Sequence, residues 1–142
     1  QPVKDHSKSD EINQNNAEMH RNRGKYYLEI GQYEQAIQEY DKAIELNPNY
    51  AEAYFNRGWT YQKLKQYERA IQDHSKAIEL DPNKANKARY YSLRGSAYFD
   101  LGQYELAIQD CDKAIELHGY GGNGGDILKR KRCLKAIGKY KL

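Results

Sequence analysis

Apolar residues recur at steps of three and four along most of the chain, the spacing of the buried face of a helix. In the clearest stretch the pattern runs through Tyr67, Ala70, Ile71, His74, Ala77 and Ile78. A second run lies just upstream, where Tyr54, Tyr61 and Leu64 share one helical face. Pro82 follows the later run, and the residue before a proline disfavours the helical region. The pattern predicts two helices joined by a short turn.

The same pair of predicted helices occurs three times. Its second helix lies in three similar blocks, QYEQAIQEYDKAIELNPN at 32–49, QYERAIQDHSKAIELDPN at 66–83 and QYELAIQDCDKAIELHGY at 103–120. Each block follows a stretch that begins with Arg-Gly, namely RGKYYLEIG, RGWTYQKLK or RGSAYFDLG. A period of this length is typical of units that each bury their apolar face on the next unit.

These units resemble the tetratricopeptide repeat, in which an aromatic residue, Gly, Tyr, two Ala and Pro stand at fixed positions. Repeat 1 matches with His20, Gly24, Tyr27, Ala36, Ala43 and Pro48. Repeat 2 matches with Tyr54, Gly58, Tyr61, Ala70, Ala77 and Pro82. Repeat 3 matches with Tyr91, Gly95, Tyr98, Ala107 and Ala114, and has Gly119 in place of Pro. The resemblance implies an all-α fold, an α-solenoid in which helix–turn–helix repeats form a right-handed superhelix.

The repeats divide the chain into segments. We predict a disordered N-terminal lead at 1–16, repeats at 17–50, 51–84 and 88–121, an insertion at 85–87, a Gly-rich linker at 122–125 and a basic C-terminal capping helix at 126–142. The lead is predicted to be disordered because Val3 and Ile12 are its only aliphatic residues and cannot offset the entropy of ordering it. We expect the capping helix to dock on repeat 3 and to bury Ile127, Leu128, Leu134 and Ile137.

Composition narrows the classes of function. Mean hydropathy is −1.08, and no run approaches the ~18 apolar residues of a membrane span. The two cysteines, Cys111 and Cys133, provide neither a disulfide framework nor metal-ligand spacing. No nucleophile, zinc or phosphate-loop motif is present, which predicts a non-enzymatic chain without metal or cofactor. The compartment stays unknown; a cytoplasmic site is favoured, and an exported mature form stays open because the first residue is Gln, not Met.

The resemblance also implies a function, since the first (A) helices of such repeats line a concave groove that binds peptides or partner helices. We predict that the groove residues include Arg21, Asn22, Lys25, Phe55, Asn56, Trp59, Lys63, Arg89 and Phe99. By resemblance, the asparagines would bond a peptide backbone and the cations would select an acidic partner. Helical spacing alone also puts Phe55 and Trp59 on one stripe, and the alternative is that they pack on adjacent repeats.

Some members of the family bind chaperone tails with five clamp residues. The equivalent positions here hold Arg21, Lys25, Asn56, Arg89 and Leu93. Three of the five keep the expected chemistry, whereas Lys25 replaces an Asn and Leu93 replaces a cation. The match is therefore incomplete, although cations at these positions could still bind carboxylates through charge-assisted hydrogen bonds.

The C-terminal segment concentrates positive charge, although the net charge of the whole chain is only +3. We predict a basic surface that includes Lys129, Arg130, Arg132 and Lys135. Three uses stay open: a solvated cap, contact with an acidic surface of another subunit, or binding of nucleic acid or lipid. No aromatic residue precedes Tyr140 in this segment, which argues against stacking on bases. Self-association of the repeats is the main alternative to groove binding.

Overall fold

A computed structural model describes residues 2–118 and 124–138, with side chains from residue 8 onward. Seven α-helices and no strand are found in these two ranges. The helices are α1 (Pro2–Glu29), α2 (Tyr33–Leu46), α3 (Ala51–Lys63), α4 (Tyr67–Leu80), α5 (Lys84–Asp100), α6 (Tyr104–His118) and α7 (Gly124–Ala136). None of the described helices combines the length and the apolar character needed to cross a membrane.

The helices pair as the sequence predicts. α1 packs on α2, α3 on α4 and α5 on α6, and each pair packs on the next. The A helices α1, α3 and α5 also contact one another in turn, and α7 packs on α6 and α5. This arrangement confirms the all-α solenoid of helix–turn–helix repeats. The core runs along the stack as a series of small contacts between neighbouring helices, because most fully buried apolar residues are alanines.

The turn inside each repeat needs a left-handed residue. Gly31 and Gly102 have φ of 80° and 79°, values that glycine adopts without steric cost. Lys65 holds the same position in repeat 2 with φ of 60°, a conformation that costs a side-chain-bearing residue more. The sequence predicts this difference between the repeats, and the backbone bears it out.

Three segments differ from the predictions. Residues 2–16 form the start of α1 instead of a disordered lead. The physical reason is that Ala17 is fully buried and Asn47 donates a hydrogen bond to Gln14, and extending an established helix costs little. The predicted insertion at 85–87 lies inside α5, whose Asn83 caps the added turn by accepting from the Asn86 amide at 2.9 Å. Gly124 and Gly125 begin α7; residues 119–123 and 139–142 lie outside the described residues.

α7 docks as a cap, but only Leu134 and Ile137 of the four residues predicted to be buried are half-buried. Asp126 and Cys133 are fully buried, whereas Ile127 is 43% exposed and Leu128 is 50% exposed. Ile127 stands at the repeat position of His20, which contacts Glu39 of the second (B) helix of its own repeat at 2.7 Å. No described helix occupies that place beside α7.

Candidate functional site

A groove of about 680 Å³ lies along the concave side of the stack and is named here the A-helix groove. Its lining is Lys25, Leu28, Glu29, Tyr33, Phe55, Asn56, Trp59, Lys63, Arg89, Ser92, Leu93 and His118. Most of these side chains come from α1, α3 and α5, as expected of A helices. Six of the nine predicted groove residues are among them: Lys25, Phe55, Asn56, Trp59, Lys63 and Arg89.

Phe55 forms the floor of the groove. It is only 5% exposed, and its ring centroid lies 4.8 Å from that of Tyr90 in the next repeat and 5.5 Å from that of His74. The Arg89 guanidinium lies 5.0 Å above the same ring. Phe55 therefore packs on adjacent elements, as the alternative interpretation expects, while one edge of it still lines the groove. A ligand above it would meet the Arg89 charge.

Asn56 carries an amide without a partner. The residue is 9% exposed, lines the groove, and its Nδ2 atom is buried without a hydrogen-bond partner among the described residues. A buried hydrogen-bond donor without a partner destabilises a folded protein by about 1–3 kcal/mol, so such donors are rare. The amide of Asn56 could recover this cost by donating to a carbonyl oxygen in the groove.

The rim of the A-helix groove is cationic. Lys25, Lys63 and Arg89 line it and are exposed, whereas Glu29 is its single carboxylate. The Lys63 Nζ lies 4.7 Å from the centroid of the Trp59 ring, so the cation and the aromatic face present one combined surface. Such a rim favours ligands with negative charge next to apolar groups.

Three predicted groove residues lie elsewhere. Arg21 is held at the junction of repeats 1 and 2, because its Nε donates to the hydroxyl of Tyr50, the last residue of repeat 1, at 3.1 Å and its Nη1 donates to Glu52 of repeat 2 at 3.4 Å. Asn22 lines a separate groove on the outer side of α1. Phe99 packs edge-on against Tyr104, with ring centroids 5.4 Å apart. None of the three is among the residues that line the A-helix groove.

The capping helix contacts Ser92, one of the residues that line the A-helix groove. The Ser92 hydroxyl donates to Asp126 Oδ1 at 2.6 Å, and Lys129 Nζ donates to the Ser92 carbonyl at 2.9 Å. Lys129 Nζ also lies 3.6 Å from Asp126 Oδ1. The predicted basic surface is thus divided, because Lys129 is tied to α5 and Arg130 donates to Asp112 of α6 at 2.6 Å. Arg132 and Lys135 remain exposed.

Six lining residues are not among the nine predicted. Leu28, Glu29, Ser92 and Leu93 belong to A helices, and the remaining two are Tyr33 and His118. Tyr33 begins α2 and His118 ends α6, so both belong to B helices, which the A-helix positions do not cover. The sequence holds a weak signal for His118 only: it stands where repeats 1 and 2 have Asn-Pro and Asp-Pro.

The cysteines and His74, whose side chains could in principle take part in chemistry, are buried in the packing between helices. Cys111 and Cys133 are free and buried, and burial raises the pKa of the Cys111 thiol to about 12, which keeps it protonated at neutral pH. His74 is fully buried between helices, in the packing position predicted for it. Within the described ranges no three His, Cys, Asp or Glu side chains come together as a metal site would require.

Comparisons with known proteins agree with this geometry. Family models described as "TPR repeat" and "Tetratricopeptide repeat" match residues 24–65, and residues 51–84 and 88–119, respectively. None of the curated proteins matches the sequence.

Solved structures match over most of the chain. The first TPR of Spaghetti (RPAP3) bound to the HSP90 peptide SRMEEVD is 27% identical, with a TM-score of 0.81 over 88% of this chain and 95% of that one. The second TPR domain of human RPAP3 in complex with the HSP70 peptide SGPTIEEVD is 27% identical, with a TM-score of 0.74 over 87% and 97%.

A third match is the Sgt2 TPR domain from Aspergillus fumigatus, which is 26% identical with a TM-score of 0.78 over 87% of this chain and 80% of that one. The family-model matches at 24–84 and 88–119 include all of α2, α3, α4 and α6 and most of α5. The chain therefore belongs to the tetratricopeptide repeat family.

Proposed function

We propose that this chain is a non-enzymatic protein-interaction module whose A-helix groove binds an extended acidic peptide. The observation that carries the proposal is the unpaired Nδ2 donor of Asn56, which lies beside an aromatic floor and under a cationic rim. An extended peptide presents a carbonyl oxygen at each residue, and a side-chain amide can donate to one of them. The groove thus offers a backbone contact, an apolar contact and a charge contact together.

The three contacts select different parts of a ligand. Asn56 holds the backbone, Trp59 and Leu28 accept an apolar side chain, and the rim cations accept carboxylates. Charge-assisted hydrogen bonds from cations are stronger than neutral ones, so carboxylates near Lys25, Lys63 or Arg89 add the most affinity per contact. Glu29 opposes a carboxylate at its own end of the groove, which favours one orientation of the peptide.

The neighbours support the acidic character of the ligand. Two similar TPR structures hold the peptides SRMEEVD and SGPTIEEVD, each with two adjacent glutamates and a terminal aspartate. In this chain Leu93 lines the groove, whereas Arg21 does not and is paired with Glu52. We therefore propose an acidic peptide with at least one apolar residue and leave the position of its carboxyl terminus free.

Binding of SRMEEVD as a probe peptide tests the proposal, with affinity measured by fluorescence anisotropy. Asn56→Ala should weaken binding about tenfold, because it removes the backbone contact. The matched control is Asn22→Ala, which changes the same repeat position outside the A-helix groove and should leave the affinity unchanged. Circular dichroism verifies that both variants are folded.

Charge reversal gives a second readout. Lys63→Glu should weaken binding and reduce its salt dependence, since a charge contact is lost. Equal loss from Asn56→Ala and Asn22→Ala, or no binding of the probe or of any peptide in an acidic peptide array, would remove the proposal.

A further inference from the structure

The outer side of α1 carries an exposed apolar stripe. Ile12, Met19, Tyr26 and Ile30 are each between 46% and 60% exposed. Their spacing of seven, seven and four residues puts them on one side of the helix. A second groove of about 560 Å³ runs along this stripe; its lining is Asn15, Glu18, Met19, Asn22, Arg23, Tyr26 and Tyr27. This surface is named here the head face.

The exposed residues of the head face stand at repeat positions that, in the later repeats, pack on the preceding repeat. Met19 is the third residue of repeat 1, and the third residues of the later units, Ala53, Tyr90 and Asp126, are at most 2% exposed. Tyr26 is the tenth residue, and its equivalents are Thr60, Ala97 and Cys133, all fully buried. At α1, within the described residues, no helix covers these positions. The head face therefore consists of positions that serve as inter-repeat contacts elsewhere in the stack and are exposed at α1.

Among the described residues, α7 at the other end of the stack also has exposed apolar side chains. On α7, Ile127 and Leu128 are exposed beside the exposed cations Lys131, Arg132 and Lys135. These five residues are named here the tail face. Lys131 stands where repeats 1 to 3 have glycine, and those glycines let the B helix approach closely. A lysine at that position prevents the same close packing of a following B helix, but it allows a looser contact with a helix that brings carboxylates.

Charge distinguishes the two faces. The carboxylates Glu11 and Glu18 flank the apolar stripe of the head face and are exposed, with Glu18 in its groove. The groove also contains one cation, Arg23, whose guanidinium lies 3.4 Å from the Glu39 carboxylate and is partly neutralised by it. The tail face has no carboxylate, since Asp126 points inward to Ser92. Two head faces brought together would oppose Glu11 and Glu18 with their own copies, and two tail faces would oppose cations with cations. A head face against a tail face joins apolar residues to apolar residues and carboxylates to cations.

From these observations we infer that the head face of one molecule packs on the tail face of a second copy of this chain. The inference goes beyond peptide binding, because neither face includes a residue that lines the A-helix groove. The contact joins two different surfaces, so it is heterologous and extends into a ring or a linear chain of molecules rather than stopping at a symmetric dimer.

Sedimentation velocity over a range of protein concentrations tests the inference. The wild-type chain should form oligomers whose proportion rises with concentration and falls with added salt. A head variant, Met19→Ser with Tyr26→Ser, and a tail variant, Ile127→Ser with Leu128→Ser, should each weaken association at least about tenfold. Leu106→Ser is the matched control, because Leu106 is an exposed apolar residue of α6 outside both faces and its loss should change nothing.

A mixture of the two variants is the decisive measurement. The head variant keeps an intact tail face and the tail variant keeps an intact head face, so together they should form a one-to-one complex and nothing larger. A wild-type chain that stays monomeric at high concentration, or a mixture that remains two monomers, would overturn the inference. Asn56→Ala should associate as the wild type does, which separates this test from that of the peptide groove.

Discussion

At the scale of single residues, each repeat pairs a glycine of its A helix with one larger side chain of its B helix. A Cβ atom built on Gly24 would lie 2.6 Å from the Tyr40 ring, and one built on Gly58 would lie 2.8 Å from the His74 ring. Repeat 3 fills the same slot with Cys111. Three different side chains fit because the glycine leaves the space, and the identity of the occupant then decides the local chemistry.

His74 makes repeat 2 sensitive to pH. Its Nε2–H donates to Gln62 at 2.6 Å, and burial, together with the charge of Arg94, lowers the pKa of the imidazole to about 3. The folded chain therefore keeps His74 neutral, whereas the unfolded chain takes up a proton below its ordinary pKa of 6.5. The contribution of neutral His74 to the free energy of unfolding is fully present above pH 6.5. It is lost as the pH falls from 6.5 towards 3.

We expect the free energy of unfolding to fall by about 1 kcal/mol per pH unit in this window on account of His74. Urea unfolding at a series of pH values measures the slope. His74→Tyr, which copies the residue of repeat 1, should flatten it by that amount. An unchanged slope in the variant would mean that other groups cause the acid sensitivity.

At the scale of helices, a series of arginines joins each repeat to the one before it. Arg57 makes two bonds to Asp73 of its own repeat, both 2.8 Å, and a third to Asp41 of the preceding repeat at 2.9 Å. Arg94 bonds Asp110 at 2.8 and 2.7 Å and Ser75 of the preceding repeat at 3.1 Å. Both own-repeat carboxylates are buried, so these planar, bidentate contacts require arginine rather than lysine.

The Arg94–Asp110 pair gives a prediction at this scale. Arg94→Leu should destabilise the chain by about 3 kcal/mol, since it leaves Asp110 buried without its countercharge. The double variant Arg94→Leu, Asp110→Leu should recover much of this loss, because no unpaired charge remains. Chemical denaturation of the wild type, both single variants and the double variant measures the coupling. A double variant no more stable than Arg94→Leu would contradict this explanation.

At the scale of the whole molecule, the described helices contact only the next one or two along the chain. No contact joins α1 to α7, so stability is a sum over neighbouring elements, as in other repeat proteins. The end helices have fewer neighbours than the central ones. The open ends therefore differ from the middle both in exposed surface and in the free energy needed to open them.

Hydrogen exchange should show this difference directly. We expect the amides of α3 to α5 to be the most protected, and those of α7 and of the first half of α1 to exchange earliest, since local opening there breaks fewer contacts. Asp126→Asn should speed exchange in α7 and leave α3 unchanged, because the carboxylate holds only the cap through Ser92 and Lys129. Uniform protection along the chain would contradict the view that stability is a sum of contacts between neighbouring helices.

Individual residues show how far the sequence leads. Asn22 and Asn56 hold the same repeat position, and the sequence predicts the same role for both. Asn56 lies in the A-helix groove, whereas Asn22 lies on the head face, because only Asn56 has an earlier repeat beside it. The sequence predicts that Arg21 attracts a ligand, but the hydroxyl of Tyr50 at the end of repeat 1 and the carboxylate of Glu52 in repeat 2 accept its hydrogen bonds. The repeat position determines the side of the helix on which a residue lies. The neighbouring repeat determines which groups that residue contacts.

The sequence by itself determined the helix pairs of the three repeats and the family, because the period of apolar residues acts locally and recurs in every copy. It also named six of the twelve residues that line the A-helix groove, since that surface follows from helix positions. Only the tertiary structure decided that the cap buries Asp126 instead of Ile127, that the Asn56 Nδ2 donor has no partner among the described residues, and that apolar residues of α1 and α7 are exposed. The burial and the hydrogen-bond partners of a side chain depend on the residues of the adjacent helix, and these come into contact with it only when the repeats stack.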